Sequence, residues 1–261
     1  MANTPLPLQT RPVNGLLIAL GAGFLAGGMN AISGGGSFVS FPILVSLGLP
    51  SVMANASSTV ALFPGAVSGT WAYRRELTGV GPLGLRPLLI TSAAGGLVGA
   101  GLLLATPTRV FDVIIPWLLL LAAVMFAISP RLPPRPDGGA RLGPKTLLAL
   151  QFVMGLYGGY FGGAVGLIML AVWSVAVGGD PKKLNPAKTL LVGTANSVAV
   201  LCFIAVGLVR WPETLAMMAG AIVGGYAGAH GGRRISAVLL RQLIFVFTLV
   251  LTVAFFWRAY R

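Results

Sequence analysis

Two clusters of small and polar residues interrupt otherwise apolar stretches, and both offer the neutral donors that hold an anion. The first is Ser33-Gly34-Gly35-Gly36-Ser37, with Asn30 just before it. Each glycine costs a helix about 1 kcal/mol relative to alanine, so three in a row are expected to break it. If the stretch lies in a membrane, a break is tolerated only where the freed backbone lines a cavity or is buried in protein. A helix restarting near Ser37 aims unpaired N–H groups and a positive dipole end at that cavity, which suits an anion. The matching break runs from Gly158-Gly159 to Gly162-Gly163 and Gly166. Close helix packing through small residues explains the same glycines, most readily Gly159, Gly163 and Gly166.

The second pair of clusters is Asn55-Ala56-Ser57-Ser58-Thr59 and Asn185-Pro186-Ala187-Lys188-Thr189. Both read as helix starts, with Asn55 and Asn185 as N-caps and Pro186 at the first helical position. Capping alone accounts for the two asparagines. Ser57, Ser58 and Thr59 add hydroxyl donors, and Lys188 adds a charge. A cation at a helix start opposes the dipole, so Lys188 asks for an anionic partner: substrate, lipid headgroup or Asp180. A snorkelling lysine at the membrane interface is the plainer account of the same residue. Asn30, Gln151, Tyr157, Tyr160 and Asn196 also fall within apolar stretches, and such groups usually face the interior of a helix bundle, where they find hydrogen bonds.

Other chemistries lack their residues. The five acids are Glu76, Asp112, Asp137, Asp180 and Glu213, each in a loop or near the end of an apolar stretch. No buried carboxylate relay or sodium cage is visible, and neither a metal site nor a Ser/His/Asp triad is supported. No cofactor is expected. The one histidine, His230, precedes Gly-Gly-Arg-Arg and reads as boundary chemistry, and the one cysteine, Cys202, cannot form an intrachain disulfide.

The elements that would position these residues follow from composition. Of 261 residues, 56% are hydrophobic and 9% charged, with a mean hydropathy of +0.89. A soluble domain carries nearer a quarter charged residues, so the surface here faces lipid. The net charge of +13 does not indicate a nucleic-acid partner, because the 18 Lys and Arg sit in short loops between apolar runs. Cytoplasmic loops of membrane proteins attract that excess. The apolar segments are 14–32, 36–49, 53–72, 87–105 and 110–128, then 146–160, 163–178, 187–208, 213–230 and 238–257. A span needs about 20 apolar residues, so 36–49, 146–160 and 163–178 are short and the rest can cross. The first run is too long and too patterned for a removable signal.

The two groups of segments match weakly but in order. GGMNAISGGGSF (27–38) matches GGYFGGAVGL (158–167), NASST (55–59) matches NPAKT (185–189), and GGLVGAGL (95–102) matches GAIVGGYAG (220–228). The expected organisation is a tail over 1–13, a first repeat over 14–128, a cytoplasmic linker over 129–145 and a second repeat over 146–261. The expected fold is an all-α polytopic membrane protein of two inverted repeats. Each repeat is a glycine-broken short-helix pair plus three spanning helices, giving 8–10 membrane segments. Duplicated, interrupted segments are the best sequence pointer to a transporter site. Ten segments put 13 of the 18 Lys and Arg on one side and 5 on the other, whereas eight give 11 and 7. The positive-inside rule favours the lopsided split, hence five elements per half, inversion, and both termini outside.

The stretches GFLAGGMNAISGGGSFVSFP (23–42), ANASSTVALFPGAVSGTWAYRRE (54–76), GLYGGYFGGAVG (155–166) and GAIVGGYAGAHGGRR (220–234) resemble the sulfite exporter TauE/SafE family, also called the toluene sulfonate uptake permease family. The resemblance covers residues 15–258 and follows both repeats. It implies a transporter of the bacterial cytoplasmic membrane for small sulfur-containing anions such as sulfite or sulfoacetate. It also implies a site at the glycine-rich breaks, formed from Asn30, Ser33, Gly34, Gly35, Gly36, Ser37, Asn55, Ser57, Ser58, Thr59, Gly162, Gly163, Gly166, Asn185, Lys188 and Thr189. Many members carry an aspartate where this chain has Asn30, and another where it has Gly158, so proton coupling through those positions is not implied. The readings kept open beside it are a passive anion channel, a non-transporting membrane scaffold and a membrane-embedded enzyme, the last lacking any buried acid, base or metal cluster.

Overall fold

Runs of apolar residues punctuated by Gly, Pro and short polar loops fold into helices throughout the computed structural model, which describes residues 13–32, 35–128, 142–178, 181–231 and 237–261. Ten helices follow one another: α1 (Val13–Ile32), α2 (Ser37–Ser46), α3 (Ser51–Ala72), α4 (Leu85–Ala105), α5 (Thr108–Ile128), α6 (Pro144–Tyr160), α7 (Val165–Ala176), α8 (Pro181–Ala205), α9 (Trp211–Gly231) and α10 (Ala237–Tyr260). No named strand occurs among the described residues; Val80 and Leu83 form one isolated bridge. The expected tail and most of the expected linker lie outside the described residues.

Segments within α1, α4, α5 and α8 are long and apolar enough to cross a membrane. Large apolar side chains such as Leu17, Leu25, Ile90, Val223 and Val253 are exposed along the helices. An outward apolar face of that extent is what lipid requires, and the chain is a multi-pass membrane protein. By contrast, α2 has 10 residues and α7 has 12. At 1.5 Å per residue they rise only about 15–18 Å, roughly half the hydrocarbon thickness.

Two helix pairs pack closely through glycines. α1 packs along α9, and α4 packs along α6, as the two most extensive contacts in the molecule. Glycines set both. A Cβ on Gly23 or Gly27 would strike the backbone of Met217 or Ala221, and one on Gly220 or Gly224 would strike Leu20 or Phe24. In the other pair, Gly95 and Gly99 lie on the backbone of Phe152 and Leu156, and Gly159 lies on Gly96. Small residues allow this approach, and in lipid the resulting dispersion contact drives association. α3 and α8 pass against each other between these pairs, with α3 also on α9 and α8 also on α4.

The helix starts differ from expectation at two places. α3 begins at Ser51 after Pro50, and α8 begins at Pro181. Asn55 and Asn185 therefore sit inside their helices and do not cap them. Pro50 supplies the extended residue before α3 (φ −53°, ψ 141°). In α8, Pro186 is the sixth residue. Its missing N–H and its ring act on the carbonyl of residue 182 in the first turn, so the helix continues beyond it.

Candidate functional site

The breaks and the α3–α8 crossing enclose a cavity of about 690 Å³. Gly27, Asn30 and Ala31 of α1 line it, with Gly35 and Ser37 at the start of α2, and the face of α3 from Thr59 to Ala72. Across from these stand Gly162, Val165, Gly166 and Leu170 at and after the second break, then Asn185, Lys188, Thr189, Val192 and Asn196 of α8, and Ala221, Ile222 and Gly225 of α9. The cavity reaches Tyr73, next to Arg74 and Arg75, and its walls there are exposed at Ala31, Gly65 and Ser68.

The polar groups are held in place by the local fold. Asn30 Oδ1 accepts the Gly36 N–H at 2.7 Å, closing the turn between α1 and α2. That leaves the Nδ2 amide of Asn30 as its donor at the wall. Gly162 (φ +72°) and Ala164 (φ +57°) turn the chain sharply into α7. An αL alanine costs about 1–2 kcal/mol, so the break is conformationally fixed by its surroundings. Val165 and Gly166 open α7 at the cavity, and their N–H groups have no partner within the helix.

Lys188 supplies the charge. Its side chain is half-buried, and the described residues give it no ion-pair partner. Its stem runs over the start of α7, where a Cβ on Gly166 would lie 3.3 Å from Cδ. The ammonium and the positive end of α7 thus share one region, and no Asp or Glu lines the cavity among the described residues. Two cationic features without a countercharge favour an anion. Asn196 adds an unmet polar atom: its Oδ1 is buried with no hydrogen-bond partner.

The threonines serve the helices first. Thr59 Oγ1 donates to the Asn55 carbonyl at 2.9 Å, and Thr189 Oγ1 donates to the Asn185 carbonyl at 2.9 Å. With its hydrogen so committed, each hydroxyl shows the cavity an acceptor. The donors available to an anion are therefore Lys188, the amides of Asn30, Asn185 and Asn196, the Ser37 hydroxyl and the first N–H groups of α7.

Of the residues singled out in the sequence, the cavity collects Asn30, Gly35, Ser37, Thr59, Gly162, Gly166, Asn185, Lys188 and Thr189. Five lie elsewhere. Gly36 holds Asn30. Asn55, 3% exposed, donates through Nδ2 to the Tyr160 carbonyl at 3.0 Å. Ser57 Oγ accepts the Arg210 N–H at 3.0 Å, and the Ser58 and Ser40 hydroxyls are 2.6 Å apart. Gly163 is buried, where a Cβ would crowd the Phe161 ring. Ser33 and Gly34 lie outside the described residues. Gln151 is buried against Ser92, to whose hydroxyl its Nε2 donates at 2.6 Å, away from the cavity. Asn196, Tyr73 and the α9 wall are additions. Asn196 follows Thr189 by seven residues on the same face of α8, so extending the Asn185–Lys188–Thr189 stripe two turns finds it.

A family model described as Sulfite exporter TauE/SafE matches residues 19–255. A probable membrane transporter protein of Haemophilus influenzae is 27% identical over 91% of this chain and 92% of its own length. Probable membrane transporter protein ORF9 of Sinorhizobium sp is 29% identical over 89% of this chain and 88% of its own. Probable membrane transporter protein YfcA of Escherichia coli K12 is 25% identical, over 87% and 84%. No solved structure gives a significant match.

Proposed function

The chain belongs to the sulfite exporter TauE/SafE family, and we propose that it is a secondary transporter moving a small sulfur-containing anion, sulfite or an organosulfonate such as sulfoacetate, by alternating access. The carrying observation is Lys188, a half-buried cation in a cavity with no carboxylate in its described wall. Tetrahedral and pyramidal oxyanions need several convergent donors, and the amides and helix start around Lys188 supply them.

In this reading the halves α1–α5 and α6–α10 are inverted repeats. The α1–α9 and α4–α6 contacts support it, because exchanging the halves turns one into the other. The identical Thr59–Asn55 and Thr189–Asn185 back-bonds support it as well. Five elements per half make the repeats antiparallel. With the positive-inside rule, the cavity opens to the cytoplasm beside Arg74, Arg75 and Lys183, both termini lie outside, and the membrane is the bacterial inner membrane. A channel needs a continuous path, whereas beyond Thr59 the core is filled by buried Asn55, Ser57, Phe41 and Phe161.

A thermal-shift screen of sulfite, thiosulfate, sulfate, sulfoacetate and taurine tests the substrate class. A ligand at a hundredfold its Kd stabilises the native state by about 2.7 kcal/mol. Sulfur oxyanions are expected to raise the midpoint and zwitterionic taurine to do so least. A response to taurine alone contradicts the reading.

A further inference from the structure

We infer that Lys188 makes closure of the cavity conditional on a bound anion, so that the protein exchanges anions and does not cycle empty. The inference rests on the inverted-repeat, alternating-access reading given above.

The two ends of the α3–α8 crossing are in different states. At the Asn55 end the contacts that shut the crossing are between neutral groups. Asn55 Nδ2 reaches the Tyr160 carbonyl at 3.0 Å, and the Ser58 and Ser40 hydroxyls are 2.6 Å apart. Phe41 packs edge-on to Phe161 with ring centroids 5.8 Å apart. Ser58 is 2% exposed and Ser40 is fully buried. Each of these polar side chains has a partner, which is the condition for burying it.

At the other end the corresponding residues line the open cavity. Asn185 and Thr189 stand 130 positions after Asn55 and Thr59, the spacing at which the threonine back-bond repeats. At that spacing Lys188 corresponds to Ser58, and the part of α7 that stands to the second break as Ser40 stands to the first, Ile168, Met169 and Leu170, is wholly apolar. Both Lys188 and Leu170 are in the cavity wall. For this end to shut as the other has, Lys188 must take the place of one serine and an apolar side chain of α7 that of the other. Two serines satisfy each other; an ammonium against a hydrocarbon side chain has no such partner. An unpaired buried charge is strongly unfavourable, and the described wall holds no carboxylate to offset it. The cargo supplies the missing charge. Loaded, the closed end contains an ion pair; empty, it contains a lone cation.

The test uses the full-length protein in proteoliposomes at equal pH on both sides, with the membrane potential clamped and labelled sulfite as probe. Uptake into vesicles preloaded with unlabelled sulfite is expected to exceed uptake into sulfite-free vesicles by about tenfold or more. The variants are measured at saturating labelled sulfite, where weaker binding does not limit uptake. Lys188→Ser, which installs the residue of the shut end, is expected to take up sulfite equally under both loadings, whereas Lys188→Arg keeps the ratio; the ratio of the two uptakes is the readout. Equal uptake by the wild type under both loadings overturns the inference and leaves the transport reading standing. So does a Lys188→Ser protein that transports and retains the wild-type ratio. Absence of uptake under either loading, with thiosulfate and sulfoacetate also silent, overturns both.

Discussion

Asn55 and Tyr160, 105 residues apart, are joined by a hydrogen bond of 3.0 Å from the Asn55 side-chain amide to the Tyr160 carbonyl. Tyr160 is the last residue of α6, where carbonyls lack helical partners. The bond therefore ties the middle of the first half to the break in the second. Asn55→Ala orphans a part-buried carbonyl, and such bonds within membranes are worth about 0.6–2 kcal/mol. Faster hydrogen–deuterium exchange over residues 157–166 is expected, by about threefold or more. Unchanged exchange there would show that the bond does not hold this end shut.

Lys188 sets two opposite effects. Lys188→Met removes a half-buried charge that has no described partner, so the anion-free protein is expected to melt higher. The same variant loses its main electrostatic contact with an anion, weakening binding by about tenfold or more. Paired melting curves with and without sulfite check both. A variant that binds sulfite as the wild type does would remove Lys188 from the site.

The threonines are expected to matter little for binding. Thr59 and Thr189 already donate their hydroxyl hydrogens to the Asn55 and Asn185 carbonyls. Thr59→Val and Thr189→Val are near-isosteric and leave the donors of the cavity in place, so sulfite affinity is expected to change by less than about threefold. A loss comparable to that of Lys188→Met would mean that the hydroxyls turn toward the anion.

Neighbouring glycines on α4 separate packing from tolerance. A Cβ at Gly99 would strike the Leu156 backbone, while one at Gly101 meets nothing within 4 Å. Gly99→Ala is expected to destabilise by about 1–3 kcal/mol through overpacking. Gly101→Ala is expected to be neutral or to stabilise by up to about 1 kcal/mol through helix propensity. The thermal midpoint in detergent reads the difference, and similar values for the two variants would contradict the contact between α4 and α6.

Much of this arrangement was legible in the residues, and the losses have physical causes. All ten helices stand where apolar runs were found, and α2 and α7 are short as Gly34-Gly35-Gly36 and Gly162-Gly163 foretold. The cavity lies at those breaks. The stretches NASST and NPAKT misled as helix starts, because capping preference cannot tell an N-cap from an asparagine whose side chain has a tertiary partner such as the Tyr160 carbonyl. Ser57 and Ser58 shared the composition of a site, yet their partners, Arg210 and Ser40, are visible only in three dimensions. Likewise Gly159 and Gly166 are the same residue type in the same stretch. One meets a facing helix backbone and the other makes room for Lys188.

On the transport reading, a small sulfur oxyanion crosses the membrane through the cavity that holds Lys188. The decisive measurement is the initial uptake of labelled sulfite into proteoliposomes, by wild type and Lys188→Gln, at a concentration below saturation. Saturable wild-type uptake above protein-free liposomes is expected, reduced by about tenfold or more in Lys188→Gln. Sulfite uptake no greater than that of protein-free liposomes, or equal in the two proteins, would contradict it.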